Sequence, residues 1–214
     1  METMTELLKE EALFIPSENG TTEGKTYTPK VEGDYLGHIV DTRTLVREFR
    51  TTEGRNVKAR IFNFKVCVAP ENATIEYTFT DREGRDHTTN GEPYVGWTVS
   101  ARGVFRFLEP TEHDTFESNS ENNVAYLRFC QALGHTIETT KREVNGKTID
   151  VQILPTLTES DLDGSPVIAV VGRDKDWVNN EGETMPSWKA KFVKLWKEGK
   201  RLATTTTNDN DLPF

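Results

Sequence analysis

The chain has 214 residues, with 26 Lys+Arg against 35 Asp+Glu for a formal net charge of −9, and its mean hydropathy is −0.62. That length suits one domain with tails and can bury a full core, while the charge assigns many residues to solvated loops or tails. No apolar run approaches the roughly 18 residues that span a bilayer, and the acidic start "METMTELLKEEALF" has no signal-peptide apolar block, so the reading has no membrane partner and a cytoplasmic location.

In chain order, residues 1–24 read as an acidic N-terminal segment. "DYLGHIVDTRTLVREF" (34–49) and "NVKARIFNFKVCVA" (56–69) are rich in β-branched and aromatic residues and are joined by the polar "RTTEGR", which predicts a long hairpin. The polar stretch 70–93 reads as an insertion between core strands, with a small hairpin of "TIEYTF" before "DREGRD". "YVGWTVSARGVFRFL" (94–108) alternates, with Trp97, Val99, Ala101, Phe105 and Phe107 on one face and Thr98, Ser100, Arg102, Val104 and Arg106 on the other. On that alternation Phe105 and Phe107 belong to the core.

Residues 118–134 carry helix signals: Ser118 and Glu121 as a capping box, Tyr126, Phe129, Cys130 and Leu133 as one apolar stripe, and Gly134 as the stop. Asn145-Gly146 marks a hairpin turn. "PVIAVVGR" (166–173) is a buried strand, and a second hairpin turns through Asn180 to Gly182. Over 188–202, Trp188, Ala190 and Phe192 alternate as a strand, while Phe192, Leu195, Trp196 and Leu202 fit a helix. The segment is therefore expected to be a strand passing into a short terminal helix.

Two strands, a third strand, a helix and at least two more strands predict a mainly β fold. The expectation is a five-stranded barrel of the oligonucleotide-binding (OB) type, with one or two helices and insertions. This domain is placed at 25–203 and a disordered acidic tail at 204–214. Cys67 and Cys130 sit among apolar neighbours and read as packing thiols. His38, His87, His113 and His135 have no metal-ligand spacing, so no metal or other cofactor is expected. There is no GxSxG, HExxH or GxxxxGK[ST], and the chain reads as a non-enzyme.

The charge is unevenly distributed. Segments 25–69, 94–108, 124–155 and 184–203 hold 21 Lys+Arg and 9 Asp+Glu, and the remainder holds 5 and 26. Aromatic residues interleave with the cations. "VKARIFNFKV" sets Lys58, Arg60, Phe62 and Phe64 on one strand face, and "SARGVFRFL" sets Arg102 and Arg106 beside two phenylalanines. Single-stranded nucleic acid presents phosphates and unstacked bases together, so its binding surface needs spaced cations and flat rings. The candidate residues are Lys58, Arg60, Phe62, Arg102, Arg106, Trp97 and Trp177. The run Lys189, Lys191, Lys194, Lys197, Lys200 and Arg201 would extend the phosphate track or hold acidic groups of the tail.

After a polar spacer, the chain ends "NDNDLPF". Asp209, Asp211 and the terminal carboxylate surround a Leu212-Pro213-Phe214 tip whose shape Pro213 restricts. A small apolar pocket rimmed by Arg or Lys could capture it. "DNDLPF" resembles the acidic tip of bacterial single-stranded DNA-binding proteins, which typically ends Asp-Asp-Ile-Pro-Phe, and Asp211, Leu212, Pro213 and Phe214 match it position by position. The chain looks like a divergent phage-encoded member, which would place it in the host bacterial cytoplasm. The resemblance implies an OB fold that coats single strands in replication, recombination and repair. It also implies that the tip, Asp209 and Asp211 to Phe214, recruits partner enzymes. A β-rich adaptor or virion component that ignores nucleic acid is the rival reading, and an RNA-binding protein is a third.

Overall fold

A computed structural model of the chain describes residues 29–50, 54, 56–81, 83–108, 123–144 and 146–202. The tail, with Asp209, Asp211, Leu212, Pro213 and Phe214, and the Ser118–Glu121 capping box lie outside the described residues. So do the whole N-terminal segment 1–24 and most of the "RTTEGR" turn.

The expected first hairpin is present. β1 (Gly33–Arg50) pairs antiparallel with β2 (Asn56–Val68), with a register shift between Val40 and Arg43 where Asp41 takes φ +51°. The hairpin within 70–93 is present as β3 (Glu76–Thr80) and β4 (Asp86–Asn90), lying between two 3₁₀ turns. β5 (Thr98–Ser100) and β6 (Val104–Phe107) pair with successive parts of β2. The helix α1 (Val124–Ala132) follows, and Gly134 at φ +87° ends it as expected. β7 (Thr139–Val144) and β8 (Lys147–Gln152) form the Asn-Gly hairpin.

A second helix, α2 (Glu159–Leu162), was not anticipated. Its signal was available in "TESD", where Thr158 and Asp161 form a capping box. β9 (Pro166–Val178) and β10 (Thr184–Leu195) complete the sheet.

β10 ends at Leu195, and no terminal helix follows it among the described residues. Instead the chain is pinned down piece by piece. Trp196 packs on His38 with ring centroids 5.5 Å apart, His38 Nε2 donates to Lys200 O at 2.9 Å, and Leu202 N donates to Gly164 O at 3.0 Å. These long-range bonds outweigh a weak helical pattern of one turn.

The main sheet runs β10-β9-β1-β2-β5, with β6 also on β2. Its buried face carries Tyr35, Ile39, Phe62, Val66 and Val167, and α1 closes over that face with Tyr126 and Phe129. The expectation of an OB-type barrel is corrected here, because the sheet does not close. The two outer edges touch at a single parallel bridge between Ala101 and Ala190, where Arg102 N donates to Ala190 O at 3.1 Å. Beyond it β6 pairs with β2 and β10 with β9, and α1 packs against both outer strands.

Two local irregularities accompany this opening. Val66 faces Val99 while Ile61 faces Phe105, so five steps along β2 match six along its partner. The extra residue falls at Arg102-Gly103, where a side chain on residue 103 would press to 3.0 Å from Asn63 and Ile61. Across the gap, β10 has its own register shift between Ala190 and Phe192. Each is a bulge, and a bulge bends its strand and reverses the alternation of faces beyond it.

Candidate nucleic-acid interface

The reversals decide which rings face solvent. Past Gly103 the inward positions become Val104 and Arg106, so Phe105 turns out and is 39% exposed. The sequence alternation had placed Phe105 in the core. In β10, Ala190 and Val193 are buried, and Phe192 is 56% exposed although strict alternation would bury it with Ala190.

The gap between the edges is a groove of about 800 Å³, with α1 along one side. Phe105, Phe107 and Phe192 supply rings to its lining, and Arg102, Arg128, Lys191 and Lys194 supply cations; no Asp or Glu lines it among the described residues. Arg128 lies on the exposed side of α1 and makes no ion pair among the described residues. Sequence reasoning missed Arg128 because it sits alone in a helix, and it missed Phe192 because a bulge of this kind leaves no compositional mark. Gly103 inside a strand pattern was the one available sign of the first bulge.

The other three groove cations are held from behind. Arg102 Nη2 donates to Asp174 Oδ1 at 2.8 Å, Lys189 lies 2.9 Å and Lys191 3.3 Å from the same carboxylate, and Lys194 lies 2.7 Å from Asp34. Hydrogen bonds from Lys189, Arg102 and Lys191 hold the Asp174 carboxyl well below the usual carboxylate range. Three cations share one anion, which leaves this corner net positive and fixes the orientation of Arg102.

The residues expected from sequence do not all converge. Lys58, Arg60 and Phe62 do share one face of β2, but it is the inner face. Phe62 is fully buried, 5.7 Å from the Tyr126 ring and stacked on it, so it belongs to the core and cannot receive a base. Lys58 and Arg60 lie toward the end of the same strand and are half-buried. Arg106 stands directly opposite Arg60, with its guanidinium 5.6 Å from the Tyr126 ring.

Trp97 packs edge-on against Tyr35 at 5.4 Å, with the Lys30 ammonium 4.7 Å from its ring, and is part of the aromatic cluster around Tyr35, Tyr77 and Tyr94. Trp177 is 54% exposed near the far end of β9, opposite Met185. Of the named set, only Arg102 lines the groove.

Cys130 is buried in the core, which pushes its thiol up to about 11, and Cys67 is half-buried. No helix among the described residues is long and apolar enough to cross a membrane. No protein-family model, curated protein or solved structure matches this chain.

Proposed function

We propose that this protein binds single-stranded DNA without strong sequence preference, along the groove between β6 and β10. The supporting observation is a concave surface whose lining, among the described residues, holds both rings and cations and no carboxylate. Phe105 and Phe192 stand at its two walls beside Arg102, Arg128, Lys191 and Lys194. Bases stack on exposed rings at about 1–3 kcal/mol each, and the cations track the backbone. Nothing in this chemistry reads a base edge, so sequence tolerance follows. Protection of single strands in replication and recombination is the role in keeping with it. Recruitment of enzymes through Asp209, Asp211, Leu212, Pro213 and Phe214 belongs to the same proposal and rests on the sequence resemblance.

The test is a fluorescence titration with oligo-dT over a range of salt, following Trp188 of β10 and the remaining tryptophans. Log K is expected to fall linearly with log salt, with a slope near about −0.7 per phosphate neutralised. Arg128→Glu, on an exposed helical position, is expected to weaken binding without loss of thermal stability. Binding that ignores both salt and Arg128 would remove the reading.

A protein-binding adaptor is the alternative, favoured by the two strand edges, β6 and β10, that have no outer partner among the described residues beyond the Ala101–Ala190 bridge and flank the groove. An extended peptide could add to either edge. It predicts indifference to oligo-dT.

A further inference from the structure

A second cationic feature lies apart from the groove lining, on the α1-facing side of β2 and β6. Arg60 and Arg106 are direct cross-strand partners in an antiparallel pair. Like charges at such positions repel one another. The Nε of each is buried and has no hydrogen-bond partner among the described residues. Arg60 makes no ion pair or hydrogen bond among the described residues, and Arg106 makes one long hydrogen bond, from Nη1 to Thr156 Oγ1 at 3.3 Å. The Tyr126 ring lies on one side of Arg106. The nearest carboxylate in the strand register is Glu48 on β1, which faces Lys58 and lies diagonal to Arg60.

A buried N–H without an acceptor is costly, and the two facing guanidinium groups hold one such Nε–H each, with eight further N–H donors around them that meet only Thr156 and solvent among the described residues. A single ligand that removes both penalties must be anionic and place oxygen acceptors within reach of both forks. A carboxylate satisfies one fork. A tetrahedral phosphate presents oxygens to two forks at once, and planar guanidinium groups bind it bidentately. The geometry points to a phosphate pincer made by Arg60 and Arg106, with the Thr156 hydroxyl as a further donor. Its ligand is a phosphate group, either one internal phosphodiester of a bound strand or a terminal phosphate monoester. Where the ligand is a strand, the inference deepens the function proposed above, but the first arm of its test needs no nucleic acid.

In that arm, thermal midpoints of the full chain are compared in sodium chloride and in inorganic phosphate at equal ionic strength. Wild type and the double variant Arg60→Gln/Arg106→Gln are measured side by side. Phosphate is expected to raise the wild-type midpoint by several degrees more than that of the variant, as ligand linkage requires. In chloride alone the variant is expected to be at least as stable as wild type, because a like-charge contact has been removed. Equal phosphate shifts in both proteins overturn the pincer. Should the double variant fail to fold, Arg60→Gln alone serves, since Arg60 has no partner among the described residues to lose.

The second arm uses oligo-dT with a 5′-hydroxyl or a 5′-phosphate. A 5′-phosphate preference of about fivefold that vanishes in the variant assigns the terminal monoester. No preference, with both oligomers weakened about fivefold and the salt slope reduced by about one contact, assigns the internal phosphodiester. Unchanged binding of both oligomers by the variant overturns the nucleic-acid source. A phosphate-specific shift without any oligo-dT binding would retire the single-stranded DNA reading and leave the pincer standing.

Discussion

Two phenylalanines of the same sheet, Phe62 on β2 and Phe192 on β10, show how much a residue's role depends on its side of the sheet. Phe62 is fully buried between Tyr126 and Phe129, and Phe192 is more than half exposed on the groove wall. Phe62→Ala removes a packed ring and leaves a cavity, so unfolding in urea is expected to show a loss of about 3–5 kcal/mol. Phe192→Ala should leave stability within about 0.5 kcal/mol and instead cost about 1–3 kcal/mol of oligo-dT binding. The reverse pattern, a destabilised Phe192 variant with unchanged binding, would place Phe192 in a structural role. Asp174 offers a second test at this scale. Its folded carboxyl ionises below the usual range because Lys189, Arg102 and Lys191 bond to the charged form. The stabilisation is therefore complete above the unfolded carboxylate value of about 4 and is lost as pH falls through the lower folded value. Asp174→Asn should flatten the acid limb of the thermal midpoint measured against pH. It should also tighten oligo-dT binding about threefold at low salt, because an anion behind the groove cations is gone, with the gain fading as salt rises.

Among the elements, the β3–β4 hairpin is attached to the main sheet through the Tyr77 side chain and a buried amide beside it. Asn72 Oδ1 accepts from Leu36 N at 3.1 Å and from Tyr77 OH at 2.7 Å, and its Nδ2 approaches Gly91 O at 3.5 Å. A Cβ at Gly91 would run into the Asn72 carbonyl. Gly91→Ala is therefore expected to cost about 1–3 kcal/mol by overpacking and to expose the amides of β3 and β4 to hydrogen exchange before those of β1 and β2. Both main hairpins, the 76–90 hairpin, the Asn-Gly turn and the Gly134 helix stop were legible because each has a local cause: alternation, a turn dipeptide or a positive-φ glycine. The groove was not legible, because its two causes are single-residue bulges at Arg102-Gly103 and Ala190–Phe192. A strand with one extra residue has the composition of a regular one, yet every side chain beyond the extra residue changes face. That is how Phe105, read as inward, and Phe192, which alternates with Ala190 in the sequence, came to line a surface. Phe62 failed for a different reason: a cation on a strand face does not mean that the whole face is wet, and Arg60 lies toward the end of a face whose middle is core.

For the molecule as a whole, the tyrosines tie the polar insertion, the sheet and the helix into one core. Tyr35 stacks on Tyr77 at 4.5 Å and meets Tyr94 edge-on at 5.4 Å, joining β1 to the insertion, while Tyr126 joins α1 to β2. Burial pushes all four phenols up: Tyr77 reaches about 12, and Tyr35, Tyr94 and Tyr126 are likewise raised. The sign of the linkage follows from which form is favoured. In the unfolded chain a tyrosine loses its proton near pH 10; in the folded chain these four keep theirs to higher pH. Between those values the folded state binds more protons, so the tyrosines' contribution to stability is constant below about pH 10 and declines as pH rises above it. Four of the five tyrosines are coupled in this way, and the decline should be cooperative. The expected result of an alkaline titration is that phenolate absorbance and loss of β-sheet circular dichroism rise together in one transition above about pH 10. Phenolate signals for four groups appearing while the sheet signal stays native would mean that the Tyr35–Tyr77–Tyr94 cluster is open to water, and the single core joining insertion to sheet would fail with it.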